Sequence, residues 1–419
     1  MRASFRPLLM AASALLAAAC GESPITGPIT HLPRALTAGE AQLVASDNRF
    51  AFKLFRAIAL EQGADTNLFI SPLSVGMALG MTVNGAAGAT RDSMLVALEL
   101  AGLPMDGVNR GYRGIIDLLR GLDPGVAFTL ANSIWYRTGI PVGQAFLDDT
   151  RTWFDAQVQP LDFRSPTAAK TINDWVSAQT RGKIPEIVDD PIPDSVIMYL
   201  INAIYFKGSW TQQFDPALTH ASPFTLRSGA TIPVAMMTHK DPAPAGYFTG
   251  DGVTVVDLPY GGRAYAMTIV LPQTAAGIDS LPAALTQERW DGWMAALDSE
   301  AVIVTMPKFK LTFDRELHPA LATLGMELAF CTSGAADFSR LYPSAGLGDV
   351  CITRVKHKTY VDVYEEGTEA AAVTSVEVGV TSAGPGPVHV VVDRPFLVAI
   401  RERLTGTILF LGKVMNPAS

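Results

Sequence analysis

Residues 195–206, SVIMYLINAIYF, are almost continuously apolar. Twelve residues are too few for a membrane helix, which needs about 20, and the run lacks the polar spacing of an amphipathic helix. It reads as a central β-strand covered on both faces. Such a strand needs a sheet with a packed layer on each side, so it commits the chain to a large layered fold. The material is available: 419 residues, 48% hydrophobic and 17% charged, with no linker-like break after residue 40. The net charge of −8 and the absence of a basic run argue against nucleic acid as a partner.

Around that strand the elements segregate. Leu43, Phe50, Leu54 and Ile58 share one face of an amphipathic helix over 40–62, and Ser71-Pro72 gives an N-cap and first helical residue for a second helix through Val83. A third helix is expected near 108–122. Residues 126–136 alternate as a strand does, and 253–258 with 264–271 flank Pro259-Tyr260-Gly261-Gly262 as a hairpin. Further strands are expected at 301–306, 352–364, 388–392 and 396–412, the last folded at Leu404-Thr405-Gly406. Helices first and strands later predict an α+β class and one large domain over 39–419.

Residues 1–20 carry Arg2 and Arg6, an apolar run from Leu8 to Ala19, and then Cys20. This is the pattern of an export signal. Small residues before Cys20 resemble a bacterial lipobox, which would make Cys20 a lipidation site and the protein a membrane-anchored lipoprotein. Ala17 stands where leucine is usual, and secretion after Ala17-Ala18-Ala19 is the alternative. Residues 21–38, rich in Pro, Gly and Thr, read as a flexible tether. In an exported chain Cys331 and Cys351 are a candidate disulfide, with two separate buried thiols as the alternative.

Searches for catalytic motifs return nothing. The sequence has no G-x-S-x-G elbow, H-E-x-x-H, phosphate-binding glycine loop or Cys/His zinc spacing, and its six histidines stand far apart. The expectation is a protein that is not an enzyme and needs no cofactor or metal. One segment stands out instead: over 368–380, Thr368, Ala370, Ala372, Thr374, Val376, Val378 and Val380 fall on one face, while Glu369, Ala371, Val373, Ser375, Glu377 and Gly379 fall on the other. No proline interrupts Glu365 through Gly384. The segment resembles a strand held in reserve, an Ala/Val-rich linker or weak edge strand being the alternative.

At this point the sequence closely resembles the serpins, a family of serine protease inhibitors. The likeness lies in NLFISPLSVGMALGMTVNGAAGATRDSM from Asn67, INDWVSAQTRGKI from Ile172, LINAIYFKGSWTQQFDP from Leu200, MPKFKLTF from Met306, VKHKTYVDVYEEGTEAAA from Val355, and DRPFLVAI with FLGKVMNP near the end. The resemblance implies three β-sheets, eight or nine helices, a monomer, and an exposed reactive loop over 365–387. It assigns Glu365, Glu366, Gly367, Thr368, Glu369, Ala370, Ala371 and Ala372 to the hinge through which the loop enters the central sheet. Ser71, Ser74, Asn202 and His357 match a polar shutter beneath that sheet, in which an Asn202 to His357 hydrogen bond is expected. Trp210 and Lys308 match the breach where entry begins, with Lys308 pairing Glu365. Counting along the hinge places the reactive bond at Thr381-Ser382, with Val380 as the alternative. The implied function is suicide inhibition of elastase-like or subtilisin-like serine proteases through a covalent complex; a non-inhibitory binding or chaperone protein is the alternative.

Overall fold

The computed structural model describes residues 27–343, 350–368 and 386–419. Among them run the helices α1 (Ala38–Glu61), α2 (Pro72–Val83), α3 (Gly88–Ala97), α4 (Met105–Leu119), α5 (Gln144–Phe154), α6 (Ala168–Gln179), α7 (Leu281–Ala284), α8 (Gln287–Ala295) and α9 (His318–Leu321). The strands are β1 (Leu68–Ile70), β2 (Val126–Arg137), β3 (Gln157–Leu161), β4 (Met198–Ser209), β5 (Asp215–Thr225), β6 (Thr231–Thr238), β7 (Ala243–Gly250) and β8 (Val253–Tyr260). They continue with β9 (Tyr265–Pro272), β10 (Asp298–Pro307), β11 (Phe309–Glu316), β12 (Lys356–Tyr364), β13 (Gly367–Thr368), β14 (Val388–Val391), β15 (Phe396–Glu402) and β16 (Ile408–Val414).

The apolar run does form a central strand. In the six-stranded sheet, ordered β11-β12-β13-β4-β2-β3, β4 pairs antiparallel with β2 from Val126↔Gly208 to Tyr136↔Met198. One face of this sheet meets α6, whose Ile172 and Val176 pack in a cluster with Trp135 and Ile201; the other meets α2, whose Ser74 hydroxyl donates to the Asn202 carbonyl at 3.3 Å. The remaining ten strands are joined in one hydrogen-bonded network because β10 serves two groups: its first half pairs with β7 and its end with β6, while β14 runs parallel beside it. The main core reaches from Leu43 to Met415.

Three local readings change. The β8–β9 turn begins at Gly261: Pro259 and Tyr260 still pair with Ala266 and Tyr265, and Tyr260 is fully buried. β5, β6 and β7, unassigned in the sequence analysis, carry Pro216, Pro223, Pro233 and Pro244, and Pro223 and Pro233 sit opposite each other in the β5–β6 pair. Residues 27–37, within the expected tether, lie against the body, with Ile29, Leu32 and Leu36 packed on the main core. Residues 1–26, including Cys20, lie outside the described residues.

Cys331 and Cys351 are bonded, with Cα atoms 5.0 Å apart. The bridge fastens the segment entering β12 to the turn after α9, beside a parallel bridge between Phe330 and Ile352. It closes a loop of 20 residues, for which chain entropy alone gives about 3 kcal/mol. Replacing both cysteines by serine is therefore expected to lower the unfolding free energy by about that amount. Denaturant midpoints read at unchanged slope check it.

Candidate functional site: the open sheet and its gate

Strands β4 and β12 are both antiparallel to β13, so they run parallel to each other. Among the described residues two join them: Thr368 pairs with Val363 on one side and Gly208 on the other, and Gly367 pairs with Tyr364 and Ser209. Below this point the described residues contain no ladder between β4 and β12. A cavity of about 370 Å³ opens there instead, lined by Tyr199, Asn202 and Ile204 from one strand and by Lys356, His357 and Thr359 from the other. A sheet interior left unpaired is costly, because each strand presents N–H and C=O groups that a third strand could satisfy.

The entry point is built from aromatics. Trp210, one residue past β4, stacks on Tyr260 with ring centroids 4.4 Å apart and meets Phe214 edge-on at 5.9 Å. Its indole N–H donates to the Tyr364 carbonyl at 2.9 Å, and its backbone N–H to Glu366 at 3.0 Å. Tyr260 brings its hydroxyl to 2.5 Å from Thr368 Oγ1, and Thr368 is only 2% exposed. The threonine therefore points inward. Gly367 has no substitute here: a Cβ would lie 2.1 Å from the Gly208 carbonyl oxygen.

Lys308 lies 2.8 Å from Glu365 Oε2, and Thr219 Oγ1 donates to Glu365 Oε1 at 2.7 Å. Burial raises the Glu365 carboxyl, but the hydrogen bonds from Lys308 and Thr219 outweigh it and hold the pKa below the usual range. This anchors the last residue before the chain enters the sheet. Glu366 follows it, while Glu369, Ala370, Ala371, Ala372, Val380, Thr381 and Ser382 lie outside the described residues.

At the lower end, Ser71 caps α2 by accepting the Ser74 N–H at 3.3 Å and donates to the Leu409 carbonyl at 2.8 Å. His357 Nε2 accepts the Ser71 backbone N–H at 3.0 Å. The expected Asn202 to His357 bond is not formed. The Asn202 amide donates to Asn132 Oδ1 at 2.8 Å, and Asn132 in turn donates to the Phe154 carbonyl at 2.6 Å. The open gap separates the strands that carry Asn202 and His357, so each finds its partner on its own side. Asn202 Oδ1 is left buried without a hydrogen bond. Asn132, Tyr260, Phe214 and Thr219 were missed in the sequence because each is an ordinary strand or turn residue there; only the topology makes them neighbours.

Burial pushes His357 from 6.5 down to about 4, so the ring stays neutral and can accept from Ser71. Between those two values the unfolded chain binds a proton that the folded chain does not. The stability contribution is thus intact above pH 6.5 and lost as the pH falls towards 4, by roughly 3 kcal/mol. Because other buried groups titrate in the same range, the difference from His357→Gln isolates it. Wild type is expected to lose melting temperature more steeply than the variant between pH 7 and pH 4.5, as calorimetry at matched ionic strength would show.

Comparison with known proteins agrees with this geometry. The model of the family described as Serpin (serine protease inhibitor) matches residues 45–417. Bovine leukocyte elastase inhibitor is 36% identical over 385 residues, spanning 90% of this chain and all of the relative. Iripin-2 of Ixodes ricinus is 34% identical, spanning 90% of this chain and 94% of its own. Among solved structures, human thyroxine-binding globulin aligns with a TM-score of 0.80 at 30% identity over 91% of this chain and all of that one. Tengpin, a thermophilic serpin in its native state, aligns at 0.78 and 28%, over 93% and 97%. The chain belongs to the serpin family.

Proposed function

We propose that the protein inhibits serine proteases by offering its loop as a substrate and inserting the cut loop between β4 and β12. The observation that carries this reading is the two-residue ladder at Gly367–Thr368, which already occupies the mouth of the gap. The protease serine attacks the carbonyl of Thr381, the amine of Ser382 leaves, and an ester joins enzyme to loop. Residues beyond Thr368 then continue the strand downward, past Asn202 and His357. The chemistry belongs to the protease; this chain supplies a strand, a vacancy and a stored driving force. A carrier or chaperone on the same fold is the competing reading, to which the likeness to thyroxine-binding globulin lends weight. Small inward residues Thr368, Ala370 and Ala372 favour insertion. Incubation with a protease panel, followed by denaturing gels for covalent complexes, separates the two.

Location bears on which proteases are met. With Cys20 lipidated, nine residues lead to Ile29, a reach of at most about 32 Å. Ile29 lies on Gly262, two residues from the Tyr260 that contacts Thr368. The loop-bearing end would then face the membrane, favouring proteases at that surface; secretion would remove the restriction.

An arginine at position 368 would have to carry its charge into the sheet against Tyr260, at a cost of several kcal/mol. Thr368→Arg is expected to turn the inhibitor into a substrate that is cut and released, and covalent complexes at wild-type stoichiometry would show the inward assignment to be wrong.

Target choice follows from the loop's composition. No Lys or Arg occurs between Glu365 and Asp393, and every residue from Val378 to Ala383 is small or β-branched and uncharged. A pocket built around a buried Asp would have its charge unpaired by such a loop, whereas a small apolar pocket has no such penalty. Elastase-like enzymes are expected to be inhibited best, subtilisin-like ones next and trypsin-like ones poorly. The mass of the released C-terminal fragment locates the cut. A cut outside Val378 to Gly384, or trypsin inhibited faster than elastase, contradicts the assignment.

A further inference from the structure

We infer that residues 27–37 form a strap that slows opening of the β4–β12 gap by pinning the β8–β9 turn from outside. The Ile29 backbone N–H donates to the Gly262 carbonyl at 2.7 Å, and its side chain lies so close over Gly262 that a Cβ there would come within 2.9 Å of Ile29 Cδ1. At its other end the segment is fixed to the helical layer. Arg34 donates to both Glu40 oxygens at 2.8 and 2.6 Å, and Thr37 closes a capping box with Glu40 on α1.

The pinned turn is the joint between two strands that must move. On one side, Gly262 and Ala264 donate to Asp123 at 3.0 and 3.2 Å, and Asp123 also accepts from Gly125 at 2.9 Å, just before β2 begins. On the other, Gly261 donates to the Ser209 carbonyl at 2.8 Å and accepts from the Thr211 hydroxyl at 2.9 Å, at the end of β4. Strands β2 and β4 both lie on one side of the gap, so a strand entering beside β12 pushes them away together. Their shared corner hangs on the turn that Ile29 covers. Releasing Ile29 frees that corner.

The consequence for loop insertion rests on the inhibitory reading, so the test uses two independent readouts. Ile29→Asp and Ile29→Val are compared with wild type in the full chain. The first readout is amide hydrogen exchange at 209–211 and 261–264, expected to rise at least tenfold in Ile29→Asp and not in Ile29→Val. The second is the rate at which the uncut protein converts on warming to a form with a raised melting temperature and a loop no longer cut by added subtilisin. That rate is expected to rise at least fivefold in Ile29→Asp alone. Unchanged exchange, or raised exchange with an unchanged conversion rate, overturns the strap. If wild type itself does not convert on warming, there is no rate to compare and the exchange result alone decides the strap, while covalent complexes with added elastase decide the inhibitory reading.

Discussion

Two parallel strands, β4 and β12, face each other across a sheet and, among the described residues, only Gly367 and Thr368 pair with both. Every other feature of the site follows from that vacancy. Strand edges inside a sheet carry obligatory donors and acceptors, and a third strand laid along them would satisfy those groups and bury new apolar surface. On the proposed function, the inserted arrangement is the more stable one and a barrier holds the fold from it.

The barrier has a polar part and an aromatic part. At the lower end, His357 accepts from Ser71 and the Asn202 side chain binds Asn132, while Ser74 reaches the Asn202 carbonyl, so the start of α2 is bonded to both walls of the gap. At the upper end, the Trp210–Tyr260 stack and the Lys308–Glu365 pair fix where the chain turns into the sheet.

How much of this was readable in the sequence depended on whether the signal was local. The apolar run of β4, the Ser71-Pro72 start of α2 and the alternation that puts Thr368 inward are local patterns, and each has its physical counterpart in the structure. The shutter and breach residues came from family resemblance; spacing alone gives no reason to join Ser71 to His357, which are 286 positions apart. The Asn202 to His357 bond failed because sequence cannot say whether the strands between them are together or apart. Prolines hid β5 to β7, since a proline tolerated opposite another proline in a strand pair looks like a loop signal in the chain. Ile29, Leu32 and Leu36 were masked by the Pro, Gly and Thr around them, yet all three pack on the main core, beside the Ile29–Gly262 backbone bond and the Arg34–Glu40 pair.

Strand-pairing energy stored in the gap, the central claim of the proposed function, is measured by one calorimetric comparison. The protein is cut once within 369–385 by a protease it does not trap, and the melting temperatures of the cut and intact forms are compared. A loop that enters the gap extends β13 from two residues to a full-length strand, so the cut form should melt far higher, by tens of degrees. Equal melting temperatures, or a lower one for the cut form, would mean that the gap accepts no strand and would contradict the account.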